Sequence, residues 1–168
     1  MTGSRYLLDT GAKRVLVDCG LFQGYKQLRL RNWSPPPIGP ASIDAVILTH
    51  AHLDHSGYLP RLVKEGFTGP VYCSAGTREL CRILLPDSGH LQEEEARYAN
   101  RAGFSKHHPA LPLYTLQDAD DCLKQFETVK VGSRWKPVEG IAAQFNPAGQ
   151  IPDVPVFLDS PMAIDATA

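Results

Sequence analysis

Thr49-His50-Ala51-His52-Leu53-Asp54-His55 puts four metal-type donors within six residues. Ahead of this run, Asp44 to Thr49 carries the apolar stretch Ala45-Val46-Ile47-Leu48 and reads as a buried strand. Behind it, Tyr58 to Glu65 has Leu59, Leu62 and Val63 on one helical face and stops at Gly66. The histidines therefore occupy a strand-to-helix loop, where several side chains can be turned toward one point. Imidazole and carboxylate suit zinc and related divalent ions. His50 and His52 suit one ion and Asp54 with His55 a second; two metals about 3.5–4 Å apart can generate a bridging hydroxide nucleophile.

Outward from the loop, strands and helices alternate. Arg5 to Asp9 and Arg14 to Asp18 read as a β-hairpin, and Gly20 to Pro37 as a long site-forming connection. Val71 to Cys73 is a further strand. Helical pattern runs from Ala75 to Leu85 and again from Ser88 to Asn100, with Pro86 expected to interrupt it. Thr115 with Asp118 makes a capping box for a helix bearing Leu116, Ala119, Leu123 and Phe126. Thr128 to Val131, Ile141 to Phe145 and Val154 to Leu158 complete the strands, and Asn146 to Gly149 reads as a turn. The pattern is α/β.

Length and composition agree with one ordinary globular unit: 168 residues, 43% hydrophobic and 21% charged. No apolar run approaches the roughly 18 residues of a membrane span, and Arg5, Asp9, Lys13, Arg14 and Asp18 leave no room for a signal-peptide core. A cytoplasmic protein with no membrane association is expected. Cys19, Cys73, Cys81 and Cys122 form no C-x-x-C pair, so reduced thiols are expected. The net charge of −1 is unevenly spread. Lys13 to Lys64 holds seven basic residues against three acids, while Pro137 to Ala168 holds four acids and no lysine or arginine. His90 and Glu94 lie four apart on a helical segment, a chelating spacing that reads more simply as a solvated face.

The H-x-H-x-D-H run resembles the signature of the metallo-β-lactamase superfamily. Val15-Leu16-Val17-Asp18-Cys19-Gly20-Leu21-Phe22-Gln23-Gly24 resembles the first motif of its β-CASP branch of RNA-processing nucleases. Thr2 to Leu8, Asp44 to His50, Pro147-Ala148-Gly149 and Leu158 to Ala163 extend the likeness over nearly the whole chain. The resemblance implies a metal-dependent hydrolase of phosphodiester bonds, in RNA or small esters, using a metal-bound hydroxide. It places His50 and His52 on one Zn2+ and Asp54 and His55 on a second, with Asp54 helping orient the nucleophile and Asp18 bracing the loop.

The chain also departs from that pattern. The family's Pro-Ala-Gly-His is here Pro147-Ala148-Gly149-Gln150, the sequence reads as lacking the family's opening strand ahead of Thr2, and the bridging aspartate and last histidine are expected to have no counterpart. Residues 1–150 thus read as a partial metallo-β-lactamase-like domain and 151–168 as a short segment resembling part of the β-CASP domain, joined across a large internal deletion. Gln150, Asp153, Asp159 and Asp165 are candidate replacement ligands; an amide oxygen such as that of Gln150 suits Mn2+ better than Zn2+. Arg29, Arg31, Arg61 and the backbone at Ser160 are candidate phosphate contacts. The expected fold is a truncated αβ sandwich half, completed by a homodimer that covers an open apolar sheet face. Two other readings stand beside the nuclease: a non-catalytic remnant or interaction module binding metal weakly, and a metal-dependent lactone, thioester or β-lactam hydrolase.

Overall fold

The structure is a computed structural model and describes residues 3–103, 108–148, 151–153 and 156–158. Its centre is a five-stranded sheet in the order β1-β2-β3-β4-β5, formed by Tyr6–Asp9, Arg14–Val17, Ala45–Ile47, Val71–Cys73 and Phe126–Thr128. The β1–β2 hairpin is antiparallel and every later pairing is parallel. Parallel strands need crossovers. Between β2 and β3 lie α1 (Lys26–Leu30) and two single-turn 3-10 segments; between β3 and β4, α2 (Leu53–Ser56) and α3 (Leu59–Lys64); between β4 and β5, α4 (Ala75–Ala102) and α5 (Leu116–Leu123).

Side-chain alternation along the strands supplies two cores. Leu16, Val46, Leu48, Val71 and Cys73 face the helices and pack with Leu59, Leu62, Leu85 and Tyr114. Val15, Ala45 and Ile47 face the other way. There they meet Ile141, Ala143 and Phe145 of a second sheet, ordered β10-β7-β6 and built from Val156–Leu158, Ile141–Gln144 and Arg134–Val138. Trp135 stacks on Phe145 at 4.7 Å and extends that cover. The second sheet corrects the expectation of an open apolar sheet face: among the described residues this face is buried within the chain, so the main premise for dimerisation is gone.

Three local expectations also change. Pro86 does not interrupt α4, a single 28-residue helix. Proline forfeits one backbone bond, but Cys81, Leu85, Ser88 and Gly89 on either side are buried, and Gly89 lets the α5 N-terminus approach closely enough that a Cβ there would lie 2.7 Å from the Thr115 oxygen. Strand β5 ends at Thr128, so the expected strand from Thr128 to Val131 is displaced toward the N-terminus. Asn146–Ala148 is strand β8 rather than a turn, paired antiparallel with β9 (Ile151–Asp153). The capping box on α5 is present as expected. No helix among the described residues is long and apolar enough to cross a membrane.

Candidate metal centre

The histidine loop leaves the C-terminal end of β3 and is held by its backbone from two sides. The Ser4 N–H donates to the Asp54 carbonyl at 2.7 Å, Cys19 N–H to His55 O at 2.6 Å and Leu21 N–H to Leu53 O at 2.9 Å, while Tyr58 N–H returns to Cys19 O at 2.9 Å. Gly20 lies so close beneath that a Cβ would fall 1.7 Å from the Asp54 oxygen. Only glycine fits there. Asp18, at φ +60°, is the single non-glycine residue with positive φ among those described. Aspartate tolerates this left-handed conformation better than most residues.

That backbone turns the Asp18 carboxylate, 3% exposed, into the loop. Its Oδ1 accepts from the Thr49 N–H at 2.9 Å and the Thr49 hydroxyl at 2.8 Å, and its Oδ2 lies 2.7 Å from His55 Nδ1. A carboxylate only accepts, so His55 carries a proton on Nδ1, which makes Nε2 the nitrogen that bears the lone pair of the neutral ring. Because Thr49 Oγ1 donates to Asp18, it accepts from His50 Nδ1 at 2.9 Å, and His50 Nε2 is likewise left with a lone pair. Anchoring of this kind orients metal-ligating imidazoles and raises their basicity. Burial, then the neighbouring rings of His55 and His52, hold His50 below the usual imidazole value and favour the neutral, donor-competent form.

The His50 ring lies 3.9 Å from that of His55 and 4.8 Å from that of His52, centroid to centroid, and Asp54 Oδ2 lies 3.8 Å from His55 Nε2. The donor chemistry thus fits a zinc-type ion. The side chains stand side by side rather than around one point, and among the described residues no group of three such donors has ready ligand geometry.

The remaining candidates separate. Arg31 shares a cleft of about 440 Å³ with His55, Ser4, Arg5 and Phe22. Arg29 lines an adjacent groove. Arg61 is engaged elsewhere: its guanidinium donates to Glu65 at 2.7 Å and to the Leu113 carbonyl at 3.1 Å, tying α3 to the segment before α5. Asp153 lies in β9 opposite Asn146 by backbone register. Gln150, Asp159, Ser160 and Asp165 lie outside the described residues. His90 and Glu94 are both exposed on α4, and Glu94 pairs with Arg97.

Sequence reading assigned no role to Thr49, Arg5 or Asn32. Arg5 donates to the Gly20 carbonyl at 2.9 Å and lies over the Tyr58 ring at 3.7 Å. Buried Asn32 accepts from the Phe22 N–H and donates to the Phe22 carbonyl, both at 2.9 Å. Only Thr49, adjacent to His50 and followed by the donor run, carried a local signal.

This chain belongs to the metallo-beta-lactamase superfamily, whose family model matches residues 2–128. Among curated proteins it is 36% identical over 152 residues to "Ribonuclease TTHA0252" of Thermus thermophilus, covering 90% of this chain and 31% of that protein. It is 33% identical over 125 residues to "Transcription termination factor FttA" of Methanocaldococcus jannaschii, covering 74% of this chain and 18% of that protein. The chain therefore spans under a third of the length of either relative. The first of these names agrees with the expected RNA-nuclease branch. Among solved structures, Zn(2+)-bound PqqB from Methylobacterium extorquens superposes with a TM-score of 0.55 at 15% identity, over 94% of this chain and 46% of that one, a likeness of fold alone.

Proposed function

We propose that this chain is the metal-binding part of a hydrolase that cleaves phosphodiester bonds in RNA or small esters. The observation that carries the reading is the pair of imidazoles, His50 and His55, whose Nδ1 atoms are both tied back to Asp18, one of them through Thr49. Such tying presents Nε2 outward on both rings, an arrangement that suits metal ligation better than simple packing. His50 and His52 would hold one ion, and Asp54 with His55 another; Zn2+ fits these nitrogen and oxygen donors best, with Mn2+ the harder-ligand alternative. When bound, such ions polarise the phosphoryl oxygens and lower the pKa of water. The chain's own part is to hold His55 and His50 in one tautomer through Asp18 and Thr49. Asp54, its side chain only 13% exposed and beside His55, would help orient the attacking water. Gln150, Asp153 and Asp159 stay as candidate added ligands.

The experiment is an assay of a chromogenic phosphodiester, a single-stranded RNA, a lactone and a β-lactam in Zn2+ and in Mn2+. Hydrolysis of the phosphodiesters, lost in His52→Ala/Asp54→Ala, supports the reading. Hydrolysis of the lactone or β-lactam alone overturns it in favour of a different substrate, and no hydrolysis of any substrate favours the non-catalytic fold.

A further inference from the structure

Between β2 and β3 the chain runs from Phe22 to Trp33 without a single acidic residue, while Lys26, Arg29 and Arg31 give it three positive charges. None of the three makes an ion pair among the described residues. Unpaired cations grouped on one exposed segment are an electrostatic footprint for an anion. Arg31 is also supported: its guanidinium carbon lies over the Phe22 ring at 4.4 Å, a contact that leaves its N–H donors uncommitted to any acceptor among the described residues.

Two cavities meet at this segment, with Phe22 as their shared wall. On one side is the cleft holding Arg31 and His55. On the other is a groove of about 550 Å³ that takes in Lys26, Arg29 and Trp33 and reaches the histidine loop at Leu53. Trp33 is 50% exposed next to Asn32, whose bonds to Phe22 close the segment, and its indole lines the groove beside Lys26 and Arg29. The opposite wall, from α4 and residues 111–113, contributes Leu91, Leu111 and one acid, Glu95.

From this juxtaposition we infer that the Phe22–Trp33 segment is a track for single-stranded nucleic acid leading to the histidine loop, with Arg31, Arg29 and Lys26 on successive phosphates and Trp33 stacking a base. The inference rests on the nuclease reading for its direction toward His55, but binding is a property of the segment itself. A duplex offers no free base face to Trp33, so the track takes single strands. A partner peptide would satisfy the apolar wall, yet it gives no reason for three cations without an acid among them.

The test is fluorescence anisotropy of a labelled oligouridylate about a dozen nucleotides long, titrated with the full chain in EDTA so that neither metal nor cleavage enters. The track requires binding that weakens with salt, and Lys26→Gln/Arg29→Gln/Arg31→Gln must flatten the slope of log K against log salt by about 2, as expected for three single-strand phosphate contacts. Trp33→Ala, at an exposed position that leaves the fold intact, must weaken binding by about five-fold or more without changing the slope. Arg82→Gln/Lys124→Gln, which removes charge outside the groove, must leave both unchanged. No binding, an unchanged slope in the triple variant, or equal binding of a duplex overturns the track. Binding without hydrolysis in Zn2+ or Mn2+ keeps the track and overturns the nuclease; hydrolysis with unchanged KM in the triple variant does the reverse.

Discussion

Two neighbouring segments leave the same end of the central sheet and are held in opposite ways. The histidine loop is fixed by its backbone, with Ser4, Cys19, Leu21 and Tyr58 bonded across it and Gly20 in direct contact beneath. The Phe22–Trp33 segment is closed on itself by Asn32 and held by the Arg5 side chain, which reaches Asn32 Oδ1 at 3.3 Å and lies over the Phe22 ring at 4.8 Å, and it exposes Tyr25, Leu30 and Trp33. The difference teaches where precision is required. Groups that must meet a reacting atom need positions held within a fraction of an ångström, whereas groups that grip a flexible chain work from a looser support.

The contrast breaks most sharply at Gly20. Gly20→Ala forces a methyl into the Asp54 carbonyl, and neither backbone can move without disrupting the bonds above. Thermal or urea unfolding should register a loss of about 3 kcal/mol or more; a loss below 1 kcal/mol would mean the clamp is not rigid. Asp18→Asn is a finer probe. Asparagine keeps the left-handed backbone and one acceptor oxygen, but with that oxygen on the Thr49 N–H its NH2 group faces the His55 Nδ1 proton and cannot accept it. Zinc affinity measured by competition with a chelating dye should fall about 10- to 100-fold with little change in unfolding. At the loose segment, Asn32→Ala removes both bonds to Phe22 and should cost about 1–2 kcal/mol while leaving zinc affinity unchanged. Equal loss of zinc affinity would merge the two segments into one unit.

The smallest effect lies outside both segments and sets the scale. Burial works to raise the Asp118 carboxyl, but the bond from Lys64 and those from the Thr115 N–H and hydroxyl more than offset it, leaving it below the usual 3.8. A depressed folded value means stability present above the unfolded value and lost as pH falls through the folded one. Asp118→Asn should therefore cost about 1 kcal/mol at neutral pH, and the gap to the parent should close in acid below pH 4. A gap independent of pH would show that the carboxylate's charge contributes nothing.

The parts of this fold legible in the sequence were those governed by near neighbours. The donor run at His50–His55, the hairpin around Gly11 and the Thr115–Asp118 box each carry their own local cause. Strand β6 has no such local signal, since Pro137 argues against a strand; it is accommodated because β6 is an edge strand whose register shifts between Trp135 and Val138. The unbroken α4 was missed for the opposite reason, since burial on both sides of Pro86 outweighs the lost backbone bond. The role of Asp18 came only with the family resemblance, and that of Arg5 not at all: its partners Gly20, Asn32 and Tyr58 are brought to it by the tertiary fold.

The central claim is that the anchored histidine loop is a metal site. Elemental analysis of the full chain purified without added metal, beside the His52→Ala/Asp54→Ala variant, tests it most directly. The account predicts a first-row divalent metal, zinc foremost, at one or more equivalents in the parent and its loss in the variant with the fold retained. A parent that carries no such metal and takes none up on zinc titration, or a variant with unchanged metal content, would contradict it.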